Sequence, residues 1–299
     1  MFSFPILFLA ILQTPAVVRT ADPTKRGLSE SDFPRVQELA SGVYSYEQLR
    51  SAGDERFTTV SFIVASSAGV LVADGQGSLE ETKRLVDEVA KLSSAPITHL
   101  VIGSDHGDHT AGNDAFPKGI EILAHPRSKT ALEAMTPPPP PPTELVEKEK
   151  TLRLGGREIR ILFLGRGHTA GDLAVYLPQE KILFMSEAYL NRVFPAMRSA
   201  YPSEWAETIE RAQAMDVDLF VPGHGFVESP AILEEEIETF RRAIGQVIAE
   251  VKRLHALGLS RDEALARGDF GELENWSLRK SQAPIAVRRV YDEIEGKLK

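Results

Sequence analysis

"IGSDHGDHTAGN", residues 102–113, packs Asp105, His106, Asp108 and His109 into five residues. It follows "ITHLVIG", residues 97–103, an apolar run of the length and β-branched content of a buried strand. Acids and imidazoles therefore gather at a strand end, where a short loop can present them together. The chain has only seven histidines, and two stand here three residues apart.

Three further strand ends carry similar groups. "ILFLGRG" precedes His168, "KILFMS" precedes Glu187 and "DLFVPG" precedes His224. Glycines flank the histidine clusters, and glycine permits the tight backbone needed to aim a short imidazole at a point. In an α/β protein the loops beyond strand C-termini share one edge of the sheet. Groups up to 118 residues apart in sequence can thus converge. Gathering four histidines and two acids without a cation costs desolvation energy for little return, so the pattern points to a metal. Imidazole and carboxylate suit zinc, and also iron or manganese. His99, His125 and His255 fall inside a strand, before a proline and near a helix end, and are read as structural.

Composition narrows the class. The chain has 299 residues, is 42% hydrophobic and carries a formal net charge of −9 with no long basic run. That disfavours nucleic acid or an anionic membrane as the main partner and leaves a small molecule as the expected one. Cysteine is absent, which excludes disulfides, thiolate ligands and a thiolate nucleophile. No Gly-x-Ser-x-Gly element is present either. The apolar residues 4–12 are too short for a membrane span, so no stable anchor is expected. They fit the core of a secretory signal cut after Ala16, giving a periplasmic or secreted protein, with a cytoplasmic one as the alternative.

The motifs resemble those of the metallo-β-lactamase superfamily of hydrolases: His-x-His-x-Asp-His, Gly-His-Thr-x-Gly, a Gly-Asp after a strand, and a final Gly-His. The correspondence covers roughly residues 40–226. It implies an α/β fold, a four-layer αββα sandwich with one or two metals at the edge between its sheets. By the resemblance, His106 and His168 serve the first metal and Asp108, His109 and His224 the second, while Asp74 supports the site from behind. Two positions depart from the pattern. Ser104 stands where the first histidine belongs, and Glu187 where many members have an aspartate that bridges both metals. The expected cofactor is zinc, one ion firmly held at Asp108, His109 and His224 and a second weak or absent. Glu187 is the candidate to reach across and replace the lost imidazole, with Asp105 ranked behind it. Ser104 is either a hydrogen-bond donor toward the reacting water or a passive filler.

The implied chemistry is attack by a metal-bound hydroxide on an ester, thioester, lactone or amide-type substrate, with Asp108 orienting the water. Two other readings are an oxidoreductase that uses one iron on a sulfur compound, and a non-catalytic metal-binding accessory protein. Residues 190–205, "LNRVFPAMRSAYPSEW", offer Arg192, Arg198, Phe194, Tyr201 and Trp205 either as a pocket for an apolar acyl group with a carboxylate or as packing for the C-terminal helices.

Element order supports the same architecture: strands, helix, strand, helix, the proline run 137–142, then strands, helix, strand, helix. Gly155-Gly156 reads as a hairpin turn. Residues 79–92 read as a helix burying Leu79, Thr82, Leu85, Val86, Val89 and Leu92. Ser203 reads as one helix N-cap, Ser229 as the N-cap of a long helix stopped by Gly258, "SRDE" (260–263) as a capping box, and Pro284 as the start of the last helix. The chain thus divides into a signal peptide (1–21), a metallo-β-lactamase-like domain (40–228) and a C-terminal helical extension (229–299) packed on or beside it.

Overall fold

A computed structural model describes residues 18–229 and 232–298, leaving the expected signal segment, apart from residues 18–21, outside the described residues. Residues 18–21 join the packed molecule, with Ala21 fully buried and Arg19 paired to Glu235.

The first sheet has seven strands in chain order: β1 (Arg35–Ala40), β2 (Val43–Ala52), β3 (Glu55–Ser66), β4 (Gly69–Ala73), β5 (Ile97–Val101), β6 (Glu121–Ala124) and β7 (Glu144–Leu145). Strands β1 to β4 pair antiparallel and β4 to β7 parallel. The second sheet joins β8 (Glu149–Leu154), β9 (Arg157–Leu162), β10 (Ala174–Leu177), β11 (Ile182–Phe184) and β12 (Leu219–Val221), with β11 and β12 parallel.

Strand alternation sets the layers. Phe62, Val64, Leu71, Ala73 and Val101 face the second sheet, where Phe62 stacks on Phe184 at 5.5 Å. Ile63, Val70, Val72 and Leu100 face the other way. That outer face is covered by α1 (Leu79–Leu92) and α3 (Pro126–Glu133), through Leu85, Val89 and Leu132. Between these two helices in sequence lies α2 (Gly107–Thr110), a single turn. Helices α4 (Pro202–Gln213), α5 (Leu233–Ala256), α6 (Arg261–Arg267) and α7 (Arg279–Ile294) pack with the second sheet. Trp205, Phe240, Ile244 and Val287 are buried there in one continuous core. The result is the four-layer αββα sandwich. No described helix is long and apolar enough to cross a membrane.

Local signals place several elements. Gly155 and Gly156 hold φ of 60° and 86°, the pair of positive values a two-residue hairpin turn of matching twist needs. Ser260 and Glu263 form the capping box of α6, and Gly258 follows α5 with φ 73°. The proline run leads into β7, where the Thr143 N–H donates to the Ile122 carbonyl at 2.8 Å.

Other helix starts differ from expectation. Helix α4 begins at Pro202, whose missing N–H suits the first helical position. Ser203 therefore lies inside the first turn, and its N–H and hydroxyl donate to Glu293 at 3.0 and 2.8 Å. Helix α5 starts at Leu233 with Ile232 at its N-cap, so Ser229 lies outside it, three residues before that cap. Helix α7 starts at Arg279 and runs through Pro284. The Arg279–Glu274 ion pair and buried Ala283 and Ala286 hold the turn that the proline rule assigns to coil. In α1 the buried stripe begins at Thr82, since Leu79 is 58% exposed at the first helical position.

Candidate metal centre

Each predicted donor stands on a short connection leaving a strand. After β5 the chain passes Gly103 and Ser104 and turns into α2, with His106 at its N-cap and Asp108 and His109 within it. His168 lies between β9 and β10, Glu187 in the tight turn after β11, and His224 three residues past β12. The two sheets meet at this edge, because the Val60 N–H of β3 donates to the Gly223 carbonyl at 2.8 Å.

The donors form two clusters that share Glu187. In one, His106 Nδ1 lies 3.0 Å from Glu187 Oε2, and His168 Nε2 lies 3.0 Å from Glu187 Oε1. The two ring nitrogens are themselves 3.0 Å apart. In the other, His224 Nε2 is 3.1 Å from Glu187 Oε1, 3.2 Å from Asp108 Oδ2 and 3.5 Å from His109 Nε2. His109 Nε2 is 4.0 Å from both carboxylates.

The outer partners decide what the inner nitrogens can do. His224 Nδ1 lies 2.8 Å from the Thr58 carbonyl, which only accepts, so the ring proton sits on Nδ1. His109 Nδ1 lies 3.1 Å from the Asp74 carboxylate, whose negative charge favours a proton on that nitrogen. Both Nε2 atoms then turn lone pairs toward each other and toward two carboxylates. Such a set is satisfied only by added protons or by a cation, and a divalent metal fits it. With protons alone, the charges on the pair show the strain. Burial would lower the His224 imidazole, but hydrogen bonds to Asp108 and Glu187 push it up to about 10. Burial would likewise lower His106, but the Glu187 carboxylate pushes it up to about 9.

Asp74 lies behind the two clusters, against His109, Gly103, Ser104 and Ser186. Its Oδ1 accepts from the Gly103 and Ser104 N–H groups at 2.6 and 3.3 Å, and its Oδ2 from the Ser186 hydroxyl. Asp74 and Ser186 both hold left-handed backbone, with φ of 62° and 48°, and each is fixed there by the other's side chain. A side chain at Gly103 would place its Cβ 2.6 Å from Ser186 Cβ, so only glycine lets these two turns meet.

Ser104 donates its hydroxyl to Glu187 Oε2 at 2.5 Å. The partner of that hydroxyl is the Glu187 carboxylate, at the point where the two clusters join. Asp105 belongs to neither cluster, and burial pushes it up to about 6. His99, His125 and His255 also lie elsewhere. His125 caps α3 by accepting from the Arg127 N–H at 3.2 Å. Four contacts escaped the sequence: the Thr58 carbonyl on His224, Ser199 Oγ at 3.1 Å from His106 Nε2, and the rings of Phe57 and Trp205 set T-shaped against His224 and His168, each pair with centroids 5.2 Å apart.

A cavity of about 220 Å³ opens over both clusters. Phe57, Val193, Ala196 and Leu278 supply apolar walls, and Arg50 and Arg198 supply charge. From residues 190–205 the other named side chains go into packing. Arg192 pairs with Glu236, while Phe194 and Trp205 are fully buried and Arg166 lies 4.0 Å over the Tyr201 ring.

Comparison with known proteins shows the family and the fold. The family model of the metallo-beta-lactamase superfamily matches residues 54–224, more than half of the chain. The chain belongs to the metallo-beta-lactamase superfamily. It is 25% identical over 218 residues to a type 2 metallo-beta-lactamase of Bacillus sp. (strain 170), covering 71% of this chain and 84% of the relative. It is 22% identical over 216 residues to metallo-beta-lactamase IND-1 of Chryseobacterium indologenes, covering 71% and 90%. Among solved structures, a metallo-beta-lactamase from Pontibacter korlensis superposes with a TM-score of 0.64 at 21% identity, over 71% of this chain and 98% of that one. IND-7 gives 0.63 at 21%, over 71% and 97%. Membership of the superfamily makes the chain a metal-dependent hydrolase. Residues 225–299, which include α5 to α7, lie outside the segment that the family model matches.

Proposed function

We propose that the chain is a zinc-dependent hydrolase of an ester, thioester, lactone or amide whose acyl part is apolar and carries an anionic group. The observation that carries this reading is the pair of donor clusters joined by Glu187 at the floor of a cavity with apolar walls. His106, His168 and Glu187 would hold one ion, and Asp108, His109, His224 and Glu187 the other. Bound there, a divalent cation lowers the pKa of a water toward ~7 and polarises the substrate carbonyl.

The chain's own residues do the rest. Thr58 and Asp74 fix the ring orientations of His224 and His109. Ser104 holds Glu187 Oε2, so the carboxylate keeps one position between the clusters. Asp108 is half-buried and faces the cavity, where it can accept a hydrogen bond from the attacking water and so orient it. Phe57, Val193, Ala196 and Leu278 favour an apolar group.

Arg50 is already paired with Glu81, whereas Arg198 forms no ion pair among the described residues. Arg198 is thus the cation left for an anionic substituent, and the amide hydrolysed by the named relatives' class, a β-lactam, falls within this description. The test is hydrolysis of matched substrates, one with a free carboxylate and one with its methyl ester, by wild type and Arg198→Ala. The expected result is a rise in KM of about tenfold for the carboxylate alone, the size of one charge-assisted hydrogen bond. Equal effects on both substrates would contradict the assignment, and no hydrolysis of any substrate by zinc-loaded protein would contradict the hydrolase reading.

A further inference from the structure

We propose that α7 is part of the support of the metal centre, with Arg289 holding Ser199 against the outer nitrogen of His106. This rests on the reading of His106 as a metal donor. The helix lies wholly outside the segment shared with the superfamily model, which ends at residue 224.

Three contacts tie the C-terminal segment to the loop between β11 and α4 and to the first turn of α4. The Phe194 N–H donates to the Ser277 carbonyl at 2.9 Å, next to the start of α7. Glu293, near its end, accepts from the N–H and hydroxyl of Ser203. Between them, Arg289 Nε donates to the Ala200 carbonyl at 2.5 Å and its Nη2 to the Ser199 carbonyl at 3.1 Å. Arg289 is half-buried and forms no ion pair among the described residues. Its guanidinium is therefore committed to two backbone carbonyls of one loop.

What that loop presents is Ser199. Its hydroxyl lies 3.1 Å from His106 Nε2, while His106 Nδ1 faces Glu187 and His168 at 3.0 Å each. A neutral imidazole has one N–H and one lone pair. With the Nε2 proton donated to Ser199, Nδ1 presents its lone pair to the cluster. Ser199 is thus a positioning residue that fixes the tautomer and ring angle of His106, and Arg289 positions Ser199. Outer contacts of this kind typically change metal affinity by about 10- to 100-fold.

The test is zinc affinity by chelator competition for wild type, Ser199→Ala, Ser199→Thr, Arg289→Met and the double variant Ser199→Ala/Arg289→Met. Long-range ¹H–¹⁵N spectra of the zinc-loaded proteins report the His106 tautomer. Ser199→Ala is expected to weaken the weaker zinc site about tenfold and to broaden or shift the His106 Nε2–H signal. Ser199→Thr should restore both. The double variant should be no weaker than the weaker single, because both residues act through one contact. If Arg289→Met fails to fold, Arg289→Lys, which keeps the charge but not the two-pronged contact, takes its place, and zinc affinity within twofold of wild type in a folded Arg289 variant overturns the role of α7. Zinc affinity within twofold of wild type in Ser199→Ala overturns the proposal while leaving the hydrolase reading in place. A wild-type chain that binds no zinc overturns both.

Discussion

Glu187 is the residue on which the two halves of the site meet, since its oxygens reach donors in both clusters. Ser104 is fastened to it. Replacing Ser104 with histidine adds an imidazole beside His106 and His168 and removes that contact. Ser104→His is therefore expected to tighten the first cluster about tenfold or more for zinc, measured by chelator competition; unchanged affinity would show that Glu187 already supplies what the histidine would. A second residue-scale prediction concerns Glu47, buried on β2, which burial pushes up to about 7 despite Arg35 at 2.8 Å. Its ordinary value is 4.5, so the folded chain binds the proton more tightly than the unfolded chain. Stability at this group is then fullest below pH 4.5 and falls as pH rises through 7, by up to about 3 kcal/mol. Glu47→Gln should flatten that fall in denaturant unfolding at pH 5 and pH 8, and parallel profiles would contradict it. The donors were legible because histidines are few and each stands at a strand end between glycines. Thr58 and Ser199 were not, because a backbone carbonyl and a loop serine leave no mark on sequence pattern.

Among elements, strands and their turns were the most legible. The alternation of Phe62, Ile63 and Val64 places successive side chains on opposite faces, and Gly155-Gly156 can take the two positive φ values of a tight hairpin turn without strain. Helix starts were less so. Ser203 has the chemistry of a cap, but Pro202 before it takes the first helical position, and the donors of that turn go to Glu293, 90 residues away. Pro284 has the chemistry of a helix start, yet α7 begins five residues earlier, where packing outweighs the local rule. Tertiary partners that decide such boundaries are absent from any local window. At this scale Phe240 of α5 is the most exposed to test, since it meets Trp205 of α4 and Tyr189 edge-on at 5.5 and 5.8 Å. Phe240→Ala should destabilise the chain by about 3–5 kcal/mol in chemical denaturation.

Across the whole molecule, the sandwich brings four connections to one edge, and the C-terminal helices close over the second sheet in the same core. Trp205 joins the two levels, with its indole N–H on the Ala188 carbonyl at 2.8 Å and its ring set T-shaped against His168. The fold class followed from element order and from the motifs, and the resemblance singled out Glu187, whereas its distances to donors of both clusters needed the three-dimensional arrangement. The central claim is that distant imidazoles and carboxylates converge on metal through that one side chain. Its most direct test is the number of metal ions per chain, by elemental analysis, in wild type and Glu187→Ala after equilibration with zinc and removal of the excess. The account predicts at least one ion per wild-type chain and a clear loss in Glu187→Ala. A wild-type chain that retains none, or an alanine variant that retains as much as wild type, would contradict it.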